Sequence, residues 1–109
     1  MARLTPESKV KARITTLLKS YGVWYFFPAM NGFGTAGVPD IICCVDGIFV
    51  GVEAKADKTK KPTKLQVLCG ERIQASGGYW MVVCDEDSIK KLEDLICVLL
   101  KTRGQSLSN

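Results

Sequence analysis

Histidine is absent from the 109 residues, and that one gap removes several kinds of chemistry together. Ser-His-Asp and Cys-His nucleophilic catalysis, helical zinc sites of the H-E-x-x-H kind and c-type haem attachment all need an imidazole. Chemistry in this chain must come from carboxylates, lysines, amides, hydroxyls or thiols. The five cysteines, Cys43, Cys44, Cys69, Cys84 and Cys97, are odd in number, include an adjacent pair and lack C-x-x-C spacing. Neither a disulfide framework nor a zinc cluster is expected of them; they are expected to be buried apolar residues of a protein in a reducing compartment. No apolar run approaches the roughly 18 residues that span a bilayer, and the first residues lack the apolar region of a signal peptide. A cytoplasmic protein with no membrane contact is expected.

What is present is ordinary for a folded domain: 47% hydrophobic and 24% charged residues in 12.0 kDa, enough for one modest core. Val10, Ile14, Leu17 and Leu18 fall at helical spacing behind Thr5 and Pro6, which predicts a first helix over Pro6 to Ser20. Val23 to Phe27 reads as a strand, and Pro28 to Gly37 as a loop. Two apolar runs, Asp40 to Val45 and Ile48 to Lys55, are separated only by Asp46-Gly47, the strongest short hairpin signal. A lysine-rich loop, a second helix over Thr63 to Ser76, a strand over Tyr79 to Cys84 and a third helix ending near Thr102 complete an α-β-β-β-α-β-α order. Residues 1–103 make one domain, and 104–109 are expected to form a flexible tail.

The two-residue turn fixes the hairpin register, because Val45 then pairs with Ile48 and paired numbers sum to 93. Asp40 is therefore expected opposite Glu53, on one face of the sheet, and alternation adds Lys55 to that face. The neighbouring residues are apolar on both faces, as in a central strand pair covered on two sides. Such a trio can be a structural salt bridge. Two convergent carboxylates also suit a hard divalent cation such as Mg²⁺, and a lysine beside them can meet a phosphate oxygen or an attacking hydroxide, which together fit phosphodiester hydrolysis. Glu7, on the stripe of Val10 and Ile14, is expected to point inward as a third acid, or else to serve as a favourable charge at a helix N-terminus. Gln66, at the edge of the second helix's apolar face, could orient water or phosphate, or could be an ordinary solvated side chain.

The charge is unevenly placed. Between Lys55 and Lys64 five lysines stand against one acid, Asp57, a surplus equal to the whole net charge of +4. Lys58, Lys60, Lys61 and Lys64 thus flank the proposed site as a surface that would meet nucleic-acid phosphates. Gly32-Phe33-Gly34-Thr35-Ala36-Gly37 matches G-x-G-x-x-G in form, but a strand rather than a helix follows it, so a dinucleotide site is not expected. Asp85, Glu86 and Asp87 read as the capping lead-in of the third helix.

Gly37-Val38-Pro39-Asp40, then Glu53-Ala54-Lys55 after a hairpin, then Gln66 on the following helix resemble the PD-(D/E)xK nuclease core. Closer still, they resemble the VRR-NUC family in its short, stand-alone, phage-type form, over Glu7 to about Val83. The resemblance implies a restriction-endonuclease-like α/β fold with a mixed central sheet. It also implies a DNA endonuclease that uses Mg²⁺, or Mn²⁺ in its place, in a bacterial or phage-infected cell. Asp40 and Glu53 would be metal ligands with the Ala54 carbonyl, Glu7 would match the family's first-helix acid, Lys55 would position or polarise water, and Gln66 would match the family's glutamine. Minimal relatives act as homodimers on branched DNA such as Holliday junctions, so junction resolution is expected. Flaps, nicks or plain duplex are alternative substrates, and a non-catalytic DNA-binding module or a protein-interaction domain are alternative roles.

A homodimer is also suggested by the third helix itself. Ile89, Leu92, Ile96 and Leu99 can face the sheet, but Leu95 to Leu100 are six consecutive apolar residues, more than one buried face is expected to hold.

Overall fold

A computed structural model describes residues 5–29 and 36–107, with side chains as far as 101. Helix α1 spans Pro6–Ser20, and its N-cap Thr5 accepts from the Ser8 amide, as the Thr-Pro start requires. Strand β1 is Trp24–Phe26; β2, Ile41–Val45, and β3, Ile48–Ala54, form the hairpin. Asp46 and Gly47 both have positive φ, 50° and 84°, the conformation that an Asp-Gly turn between two strands supplies. Helix α2 is Lys64–Ala75, β4 is Tyr79–Val83, and α3 is Glu86–Leu107.

The four strands lie in the order β1-β2-β3-β4. The first two pairings are antiparallel, and β2 and β3 pair Ile41 with Val52 and Val45 with Ile48, the predicted register. The connection from β3 to β4 passes through α2, so that pair is parallel. The result is the mixed α/β sheet anticipated from the sequence.

Helices α1 and α3 cover one face, where Ile14, Leu18, Ile41, Val52, Leu92 and Ile96 are wholly buried. Helix α2 covers the other face only in part, over β4 and the far end of β3. The hairpin is therefore not enclosed on both sides along its length. Near its turn, Cys44 is exposed and Phe49 is 42% exposed, because alternation points both to the face that α2 covers only in part.

The same geometry corrects the expectation for the cysteines. All five are free, but only Cys43 is buried; Cys69, Cys84 and Cys97 are half-buried. Burial pushes the Cys43 thiol up to about 12, which keeps it protonated and unreactive.

Helix α3 continues past Thr102 to Leu107; Ser108 and Asn109 lie outside the described residues. Its apolar run is largely absorbed within the chain. Ile96 and Leu99 are buried and Leu95 and Leu100 pack on the core, which leaves Val98 as the exposed member. Asp85 caps the helix, its Oδ1 accepting from the Ser88 amide at 2.9 Å, so the acidic lead-in has the capping role read from the sequence. Among the described residues no helix is long and apolar enough to cross a membrane.

Candidate active site

The corner that carries Asp40 is held by two close approaches. Gly37 has φ +78°, and a Cβ there would collide with the Leu65 carbonyl at the start of α2. Pro39 is buried against Gly51 of β3, where an added Cβ would lie 2.8 Å from the proline ring. Asp40 follows directly, just before β2, and its Oδ2 accepts the Ala54 N–H at 2.8 Å. That bond extends the hairpin register by a side chain and clamps Asp40 to the end of β3. It also fixes Ala54, whose carbonyl was the third ligand implied by the family resemblance. Residues 32–35 of the glycine-rich loop lie outside the described residues.

Among the described residues Glu53 is the buried charged one, with no exposed surface. The hydrogen bonds it accepts come from neutral groups: Gln66 Nε2 reaches its Oε1 at 3.4 Å, and Trp80 Nε1 reaches its Oε2 at 3.3 Å. Its carboxyl is pushed up to about 7, first by burial; the Trp80 hydrogen bond opposes the shift, Asp40 adds to it and Lys55 opposes it. A carboxylate removed from water and hydrogen-bonded only to neutral donors has little to offset its negative charge beyond the nearby Lys55 ammonium.

Lys55 lies just past β3, its amide continuing the ladder to the Val83 carbonyl at 2.9 Å. Its Nζ donates to Gln66 Oε1 at 3.0 Å. Gln66 has a double use. It closes the capping box of α2, its Oε1 accepting the Thr63 N–H at 2.8 Å while its own amide donates to Thr63 Oγ1. From that fixed position the same side chain links Lys55 to Glu53. It is neither an ordinary solvated glutamine nor a group held ready for substrate alone.

Glu7 departs from the inward orientation expected of it. In the first turn of α1 its side chain is 45% exposed, and Lys11, one turn on, draws it along the helix surface, with Nζ 3.7 Å from Glu7 Oε2. The same ammonium stands 4.0 Å from Asp40 Oδ1. Lys11 therefore joins Glu7 to the acid pair, a link that no spacing argument revealed because its partners lie on separate elements. A monovalent cation between two carboxylates marks a place that a divalent cation could contest.

Among the described residues no three Cys, Asp or Glu side chains converge as a ready-made metal cage. Two carboxylates and nearby backbone do suit Mg²⁺, which keeps several waters and takes its remaining oxygens from a bound phosphate. The buried Glu53, hydrogen-bonded only to neutral donors, and the ammonium beside Asp40 both fit a site that accepts positive charge.

The lysine loop stands beside this site. Lys58, Lys60, Lys61 and Lys64 are all exposed, and Lys58 pairs with Asp85 at 3.8 Å. Asp57 organises the turn by accepting from the Thr59 amide and hydroxyl, bonds that hold its carboxyl below the ordinary range.

Compared by sequence, the chain matches no family model and no curated protein. Compared by structure, it is similar to a solved VRR_NUC domain, with a TM-score of 0.73 and 25% identity over 83% of this chain and 96% of that one.

Proposed function

Because the chain belongs to the VRR-NUC family, we propose that it is a DNA endonuclease of the PD-(D/E)xK type, dependent on Mg²⁺ or Mn²⁺, that resolves four-way junctions as a homodimer. The observation that carries this reading is the cluster of Asp40, Glu53 and Lys55 at the end of one hairpin, clamped by the Asp40 to Ala54 hydrogen bond.

In this reading Asp40, Glu53 and the Ala54 carbonyl would hold the cation, with Glu7 reaching it through the first turn of α1. When bound, such an ion lowers the pKa of water and stabilises charge developing on the phosphate. The chain's own groups do the positioning. Lys55 spends one of its three N–H donors on Gln66 and keeps the others for the attacking water or a phosphate oxygen. As the water oxygen bonds to phosphorus, the bond from phosphorus to the leaving sugar oxygen breaks. Gln66 keeps Lys55 and Glu53 in fixed relation throughout. Lys58, Lys60, Lys61 and Lys64 supply the sequence-independent attraction for the DNA backbone.

Junction resolution requires two cuts related by a two-fold axis, which a homodimer provides. Since α3 buries most of its own apolar run, the surface for a second copy is better sought elsewhere. Phe49, Leu65 and Leu68 are 42 to 55% exposed, and they line a cleft of about 590 Å³ between α2 and the sheet.

The test is cleavage of an immobile four-way junction, beside flap, nicked and duplex oligonucleotides, with and without Mg²⁺, and with the mass measured by sedimentation equilibrium. Mg²⁺-dependent paired cuts in the junction by a species of twice 12.0 kDa are expected. Resolution by a monomer would remove the dimer, and preference for another substrate would remove the junction. Failure on all four substrates would remove the nuclease.

Two lysines separate catalysis from binding. Lys55→Ala should severely impair cleavage at saturating DNA. Lys60→Ala should leave the cutting rate at saturation near wild type, weaken binding mildly and lower the slope of log affinity against log salt by about one unit. Fluorescence anisotropy across a salt series reads the second effect. A larger cleavage defect at Lys60 than at Lys55 would reverse the two roles.

A further inference from the structure

One aromatic side chain outside the PD-(D/E)xK pattern touches the acid pair. Trp80 of β4 sits beside Gly51 of β3, and the parallel register sets Glu53 beside Val82, two residues further on. Alternation places Trp80, Gly51 and Glu53 on the face that α2 covers. From there the indole N–H donates to Glu53 Oε2, while Gln66 donates to Oε1. A carboxylate held at both oxygens keeps one orientation, where a side chain of several rotatable bonds would otherwise sample many.

The seat of the indole is a second, separate observation. Gly70 is the buried residue of α2, and a Cβ there would overlap Cδ2, Cε2 and Cε3 of the Trp80 ring. Glycine inside a helix is unfavourable relative to alanine. Here its missing side chain is what lets the ring lie against α2 and reach Glu53. The donor's neutrality matters as well. A lysine or arginine in the same place would compensate the carboxylate and compete with an incoming cation, whereas an indole orients it and leaves its charge available.

We infer that Trp80, seated on Gly70, is a positioning residue that fixes Glu53 in the orientation in which it meets a divalent cation together with Asp40. The cation comes from the nuclease reading above; the role of the tryptophan comes from this chain's own geometry. Trp80→Phe keeps an aromatic ring on Gly70 and removes only the N–H donor. Gly70→Ala keeps the donor and displaces the ring.

The experiment is calorimetric titration of Mn²⁺ into the full chain without DNA, beside a thermal melt of each variant. Trp80→Phe should bind Mn²⁺ about tenfold more weakly than wild type with a melting temperature changed by only a few degrees. Gly70→Ala should show a similar loss of affinity, and the double variant should lose less than the two single losses combined, because both act through one hydrogen bond. Wild-type affinity in Trp80→Phe would overturn the role of the tryptophan and leave the nuclease reading standing, even if Gly70→Ala failed to fold. No Mn²⁺ uptake by the wild-type chain would overturn both.

Discussion

Asp40→Ala and Glu53→Ala should each slow junction cleavage by at least about a thousandfold, since a metal ligand contributes several kcal/mol of transition-state stabilisation. DNA affinity measured in EDTA at matched salt should stay close to wild type, because the lysine loop is left in place. The two variants should differ in stability. Removing the Asp40 carboxylate strands the Ala54 N–H that it accepts, and an unsatisfied buried donor costs about 1 to 3 kcal/mol. Asp40→Asn keeps an acceptor there and should be as inactive as Asp40→Ala while melting closer to wild type. Glu53→Gln is the corresponding choice at the buried position. A wild-type rate in any of these variants would remove the assignment of its residue.

Gly37→Ala should be strongly destabilising although the residue touches no substrate. The backbone there has φ +78°, and the new Cβ would strike the Leu65 carbonyl. The left-handed conformation and a clash with backbone rather than with a flexible side chain cannot both be relieved without moving α2 from the Pro39-Asp40 corner. A loss of at least about 2 kcal/mol is expected, which for a domain this size lowers the melting temperature by roughly 8 to 16 °C. Gly47→Ala, also at positive φ but with open space around its Cβ position, should cost less. Thermal melts of the two variants side by side check the difference; equal losses would show that the Leu65 approach carries no weight.

These expectations trace how far the residues alone could be read. The Asp46-Gly47 turn determined the register of β2 and β3, and the register brought Asp40 to the end of β3, all from local chemistry. Thr5 marked the start of α1 for the same reason: capping is a short-range event, legible in a few residues. The lysine surplus was visible because charge adds without needing a fold. Lys11 and Trp80 were not legible. Each reaches the site across elements far apart in the chain, and neither has a spacing that distinguishes it from a surface lysine or a strand aromatic. Gly70 makes room for the Trp80 ring, a close approach between α2 and β4 that only the fold reveals. Cys44 and Phe49 were misjudged because an apolar strand face was assumed to be covered, whereas α2 spans only part of the sheet. Glu7 followed the apolar stripe in sequence, but in the first turn of α1 its side chain is partly exposed and lies 3.7 Å from the Lys11 ammonium one turn on.

Gln66 has a consequence that lies in the thermodynamics of the whole chain. Its side chain closes the first turn of α2 and also bonds Lys55 and Glu53, so the end of a helix and the centre of the candidate chemistry share one set of hydrogen bonds. Linkage makes such sharing reciprocal: whatever free energy an occupied site lends to the order of that turn, fraying of the turn withdraws from the site in equal measure. A cap is worth about 1 kcal/mol, which corresponds to roughly a fivefold change in occupancy. The turn also carries Lys64, one of the lysines that would meet the DNA backbone. If the acid pair takes a cation and the lysines meet phosphate, ordering of that surface and filling of the pair would be two readings of one equilibrium.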